Sequence, residues 1–261
     1  MATQPPSNLP LFYKTLQPLA GSLHGHLKAK NLDSAPHLVN THAIPLTIEE
    51  FAIAQRYYPI IFSSGEMPVP LALMGLNEGV NVFIGDDGKP LHPIYIPAYV
   101  RRYPYMLARI DQTKDELTLC FDSESGLVTE DGDRPLFDGE QPSETLTQVL
   151  KFCEEFEIAA QRTQAFVKEL QALDILIDGE VAIQPEGAPQ PFLYRGFQMV
   201  DEQKLKDLDA ETVHKLNQNG ILPLIMAHLF SLSIMRELFA KQLEQGKAPE
   251  LAAAQPPAGN A

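Results

Sequence analysis

Ile94-Tyr-Ile-Pro-Ala-Tyr-Val-Arg-Arg-Tyr-Pro-Tyr-Met-Leu-Ala-Arg-Ile-Asp111, followed by Gln112 through Asp122, holds the densest run of aromatics, prolines and paired arginines in the chain. Pro97 and Pro104 bracket it into two parts. A proline suits the first turn of a helix, and the residue before a proline is pushed out of the helical region. One or two helical turns are therefore expected from Pro97, ending at Tyr103. Beyond Pro104, two short apolar runs, 105–110 and 117–121, flank the polar segment 111–115, which reads as a β-hairpin. A helical turn feeding a hairpin makes this stretch the junction between a strand-rich first half and a helical second half.

Towards the N-terminus, residues 43–46 look extended. Thr47 opens a helix, with Glu50 at the capping-box spacing and Phe51, Ala54 and Tyr58 on one face. Strands are expected at 60–62, 70–74 and 81–84, separated by glycine turns. Towards the C-terminus, residues 143–173 form one long amphipathic helix with Ser143 as N-cap. Its apolar stripe includes Leu146, Cys153, Phe156, Thr163, Val167 and Leu170. A second hairpin joins 180–184 to 192–200, with Gly196 marking a bulge or a close approach. Short helices begin at Asp201 and Asp209, and a last helix covers 222–245. The fold class is α+β: a mostly antiparallel sheet in the N-terminal half, a long amphipathic helix, a second hairpin and C-terminal helices. The organisation is an irregular arm over 1–41, one compact body over 42–245 (a sheet subregion 42–140 and a helix-rich subregion 141–245), and a disordered tail over 246–261.

With 261 residues, 44% of them hydrophobic, the chain can bury a large core. A formal net charge of −14 repels phosphate backbones, so nucleic acid is excluded as a partner. Two cysteines, Cys120 and Cys153, imply no disulfide framework and suit a reducing compartment. The N-terminus lacks a signal-peptide pattern, and the longest apolar run, from Ile221 to Met235, is too short to span a bilayer. A cytoplasmic protein without a transmembrane segment is expected, with a leaderless route to the cell surface as the alternative.

Arg101 and Arg102 are the sharpest chemical feature. On a helical turn they point about 100° apart, so one can face inward while the other stays wet. Guanidinium forks match carboxylates and phosphates. The candidate ligand-binding set is Arg101, Arg102, Tyr103, His92 and Asp122. The competing and preferred reading is structural, with one arginine paired to Asp122 or Asp138. No metal is expected, because His24 and His26 lack further ligands and the acidic loop 122–133 lacks EF-hand spacing. No cofactor is expected, and no set of residues reads as catalytic.

These segments have a counterpart. Leu11-Phe-Tyr-Lys14, Ile44-Pro-Leu46, Ala72-Leu-Met-Gly-Leu76, the run Tyr95 to Tyr105 with its Pro-Ala-Tyr-Val-Arg-Arg-Tyr-Pro core, Leu117 to Asp122, Pro135-Leu-Phe-Asp138 and Ala227 to Leu232 resemble the bacterial SapC family, S-layer-associated by name, over about residues 9–240. The resemblance implies a bacterial protein with no assigned catalytic residues. It also implies an accessory role in uptake or modification of a substrate, since members lie near genes for outer-membrane receptors and tailoring enzymes. Three functions follow in order of preference: a non-enzymatic accessory or binding protein with a protein partner or a homodimer through helix 143–173; an enzyme with an anion pocket at Arg101 and Arg102; and an S-layer component.

Overall fold

The structure is a computed structural model, and it describes residues 9–31, 34–110, 113, 115–184 and 191–247. It has the expected α+β architecture of antiparallel sheets with long helices. The central sheet runs Leu176–Ile183, Phe192–Val200, Ile60–Ser63, Pro70–Leu73, Ala43–Pro45. Apolar runs such as Ile60-Ile-Phe62 are buried on both faces, which suits a strand in the middle of a core. Because Phe197 pairs with Ser63 and Gln198 with Phe62, the sheet is completed by strands far apart in sequence. It therefore joins the two subregions that the sequence separates at residue 140. The register of the C-terminal hairpin shifts between Gly179 and Val181, opposite Gly196, whose φ of 88° is the left-handed geometry a bulge glycine supplies.

A smaller sheet is formed by Leu16–Pro18, Thr118–Asp122 and Tyr105–Ala108. Beside it, Val128–Thr129, Lys28–Ala29 and Arg134–Pro135 make three two-residue strands. The expected hairpin is present, with Tyr105 opposite Phe121 and Ala108 opposite Thr118. Residues 9–41, expected as an irregular arm, instead supply a strand to each small sheet. Their pairing partners lie about a hundred residues away, so no local pattern announces them.

Three other expectations are corrected. Asn81–Ile84 is not a strand, and only Ile84 makes an isolated bridge, to Pro90. Buried Asn81 turns the backbone there: its Nδ2 donates to the carbonyls of Leu38 and Thr41, and its Oδ1 accepts from the Phe83 amide. The helix from Thr47 is only a 3-10 turn, Ile48–Glu50, followed by Phe51–Ala54. The last helix is divided into Ile221–Ser231 and Met235–Glu244 by a 3-10 turn at Leu232–Ile234. Ser231 and Ser233 each donate back to a carbonyl three residues earlier, which competes with the regular helix. The whole run Ile221–Glu244 is nevertheless long and apolar enough, by composition, to cross a membrane. Two of its polar side chains, His228 and Ser231, are engaged with the sheet. Val200 N–H donates to His228 Nε2 at 3.1 Å, which leaves His228 Nδ1–H to donate to the Ile60 carbonyl at 2.7 Å. Ser231 Oγ accepts from the Ile60 amide. The helix thus fills ladder positions where the strands diverge. Residues 248–261 of the expected tail and 185–190 of the hairpin loop lie outside the described residues.

The long helix, Glu144–Ala172, begins at Ser143, whose Oγ accepts from the Leu146 amide. Its stripe serves two apolar clusters. Phe166, Val167 and Leu170 enter the main core around the central sheet. Leu146 and Cys153 enter a second cluster with Tyr105, Leu107, Phe121 and Leu136. The stripe expected to be a core or dimer seam is thus packed against the chain's own sheets.

Candidate functional site

The site starts from a buried carboxylate. Glu50 Oε2 accepts from the Thr47 amide and hydroxyl, and Glu50 Oε1 accepts from Tyr95 Oη at 2.9 Å and the Ala98 amide at 2.6 Å. The capping box therefore also fixes the first amide of the helix Ala98–Arg102. That helix ends before the cis Tyr103–Pro104 bond.

Consecutive arginines on this turn diverge as expected. Arg102 points inward and is 5% exposed, while Arg101 is exposed. Arg102 Nη1 meets Glu157 Oε1 at 3.1 Å, and its guanidinium lies 4.1 Å from the Phe156 ring centroid and 5.2 Å from that of Tyr99. Burial raises the Glu157 carboxyl above its usual range, and Arg102 opposes that rise. Arg102 Nε is buried without a hydrogen-bond partner. Arg101 Nε donates to the Ile96 carbonyl and Nη2 to Tyr95 Oη, and its guanidinium lies over Phe152.

The structural pairing of Arg102 is thus with Glu157 of the long helix and not with Asp122 or Asp138. Asp122, fully buried, instead accepts from the amides of Lys14, Thr15 and Glu124 and from Tyr103 Oη at 3.0 Å. It fastens the N-terminal segment to the smaller sheet. Burial, and next the hydrogen bond to Asp122, push the Tyr103 hydroxyl well above its ordinary range. His92 is exposed after the Gly85–Lys89 turn and lines none of the cavities at the arginines. Of the five candidate residues, Arg101, Arg102 and Tyr103 come together at one cavity, and Asp122 and His92 do not line it.

That cavity has a volume of about 280 Å³. Arg101 and Arg102 form one wall; another is formed by Arg134 and by Lys30, which follows the strand Lys28–Ala29 whose Ala29 pairs with Arg134. Thr145, Gln148, Val149 and Phe152 of the long helix also line it. Among the described residues, no aspartate, glutamate or histidine lines it. Tyr105 reaches the same cavity, and its Oη, like Arg102 Nε, is buried without a partner. Burial holds the Tyr105 hydroxyl well above its usual range and pushes the Cys153 thiol up to about 12, so both stay protonated at neutral pH. On the far side of Arg102 lies a larger cavity of about 540 Å³ with a mostly apolar lining, including Leu11, Leu46, Phe156 and Val167, that Glu157 also reaches. Among the described residues, no group of three or more metal-ligating side chains is assembled.

Lys30, Arg134 and Glu157 were not singled out from the sequence. Arg134 belongs to a two-residue strand, and Lys30 follows another, and such short strands leave no periodic signal. Glu157 did leave one: it follows Cys153 by four positions, which turns it towards the buried stripe.

A family model described as SapC matches residues 19–238. No curated protein and no solved structure matches the chain significantly.

Proposed function

Because the chain belongs to the SapC family, we propose that it is an accessory binding protein that holds a small anion in the cavity at Arg101 and Arg102. One observation carries the reading: four cationic side chains and, among the described residues, no carboxylate line one cavity in a protein of net charge −14. Placing like charges around a cavity costs free energy unless an anion compensates them. The unpartnered Arg102 Nε and Tyr105 Oη are further donors awaiting an acceptor.

Binding is favoured over catalysis by the same lining. Proton transfer near pH 7 needs a group that titrates there. Tyr105 and Cys153 are held protonated, and the remaining titratable groups are Tyr103, lysine and arginine. The buried free thiols of Cys120 and Cys153 suit a cytoplasmic setting. The accessory role would be completed by a protein partner to which the loaded or empty state is presented.

The test is thermal unfolding of the full chain in acetate, succinate or phosphate at constant ionic strength, beside Arg102→Met. At a hundredfold excess over Kd, a bound anion stabilises by about 2.7 kcal/mol, which is several degrees in Tm. We expect such a shift for the unaltered protein and none for the variant. If no anion outperforms sodium chloride, the cavity does not bind small anions.

A further inference from the structure

We infer that the ligand is a small dicarboxylate, one end held by the Arg101–Arg102 wall and the other by the Arg134–Lys30 wall. This rests on the anion-binding reading above and adds the number and spacing of the charges. Each wall offers two cations, and on each wall one of them already has an acid. Arg102 has Glu157 at 3.1 Å, and Lys30 has Asp131 at 3.7 Å. The other two differ. Among the described residues, neither Arg101 nor Arg134 has a carboxylate within salt-bridge distance, and Arg101 reaches Glu50 only through the Tyr95 hydroxyl. One arginine of each pair therefore lines the cavity without a carboxylate in salt-bridge distance among the described residues.

The walls belong to separate elements, the helix Ala98–Arg102 and the strand Arg134–Pro135. A monocarboxylate brings one charged acceptor to two uncompensated guanidiniums, and a phosphate concentrates its two charges on one centre. A dicarboxylate gives each wall its own fork-shaped acceptor, the geometry guanidinium pairs best with. Between the walls, Val149 and Phe152 offer apolar surface suited to a short methylene spacer. Two buried donors beside the cavity lack partners: Arg102 Nε, and Tyr105 Oη, which lies in the field of Arg134. Tyr105, protonated, would donate to the carboxylate held by Arg134.

The experiment is isothermal titration of the full-length protein at fixed ionic strength with butyrate, octanoate, succinate, glutarate, adipate and inorganic phosphate. It is repeated on Arg134→Gln and Arg101→Gln, exposed positions whose variants are checked for unchanged melting. At least one dicarboxylate should bind about tenfold or more tighter than butyrate, a difference of about 1.4 kcal/mol. Arg134→Gln should erase that preference while leaving the butyrate Kd unchanged, and Arg101→Gln should weaken both ligand types. Equal affinity for mono- and dicarboxylates, or phosphate binding indifferent to Arg134→Gln, would overturn the two-walled ligand but leave the anion site standing. Octanoate binding tighter than every dicarboxylate would do the same and direct the tail into the apolar cavity beyond Arg102. Absence of binding by any anion would overturn both readings.

Discussion

The two apolar clusters treat buried polar groups differently. Around the central sheet, polar side chains are consumed by the fold. Glu50 meets four donors, both ring nitrogens of His228 are engaged, and Gln242 takes the Leu76 amide while donating to Asn77 and to the Lys247 carbonyl. Around the smaller cluster and its border with the arginines, Arg102 Nε and Tyr105 Oη remain unpartnered, and on the side of the main core the exception is His37 Nε2, beside Phe12. Leaving a buried donor unmet costs about 1–3 kcal/mol, so such atoms persist where something other than folding satisfies them. The long helix is common to both regions, which makes the contrast one of chemistry more than of location.

Breaking the satisfied side should have the largest effect. Glu50→Ala leaves the Thr47 and Ala98 amides and the Tyr95 hydroxyl without their acceptor. The expected loss is about 3–5 kcal/mol in urea unfolding. A loss below about 1 kcal/mol would mean that water replaces the carboxylate and that this region is less closed than its geometry indicates.

The second prediction uses pH. Burial lowers the pKa of His228 to about 4, with its hydrogen bond to Ile60 opposing, and burial lowers that of His37 to about 4. Below about pH 6.5 the unfolded chain gains protons that the folded histidines refuse, so stability is full above that pH and drains as pH falls towards 4. The slope for His228 is about 1.4 kcal/mol per pH unit. His37, less deeply buried, adds less, and Glu157, whose pKa is raised in the fold, works against both near the lower end. Urea melts from pH 7 to 4 should show the decline in the unaltered protein. His37→Phe should flatten it slightly, and a flat profile would show that His228 protonates without unfolding.

The smallest effect is expected on the unsatisfied side. In Arg102→Met with Glu157→Leu, a half-buried ion pair is exchanged for apolar volume, which should leave stability within about 1 kcal/mol of the parent. Arg102→Met alone should cost more, because Glu157 then lacks its partner. Were the double variant as damaging as Glu50→Ala, Arg102 would be a structural pillar rather than a ligand group.

The sequence made legible what depends on local periodicity. The helix Glu144–Ala172, the strand pair Tyr105–Ala108 with Thr118–Asp122, and the bulge glycine at 196 are where spacing and residue type placed them. What it hid depends on distant partners. Lys28–Ala29 is a strand only because Val128–Thr129 and Arg134–Pro135 flank it. Asn81 ends a strand-like run because its side chain finds carbonyls at Leu38 and Thr41. The divergence of Arg101 and Arg102 followed from helical geometry, but the opposite wall of the cavity required the fold. Asp122 was assigned to the arginines by proximity in sequence, whereas its four donors come from the N-terminal segment, its own turn and Tyr103.

The pairing of Phe62 with Gln198 also sets a timetable for the nascent chain. As the polypeptide leaves the ribosome, Ile60–Ser63 can pair with Pro70–Leu73 almost at once, but its other edge waits until the segment around Phe197 has emerged. At cellular rates of synthesis that delay is on the order of ten seconds. For that time an apolar strand edge is open to any neighbouring chain, the condition under which strands pair wrongly. A sheet closed by its last strands therefore leaves that edge open to mispairing until synthesis is nearly complete.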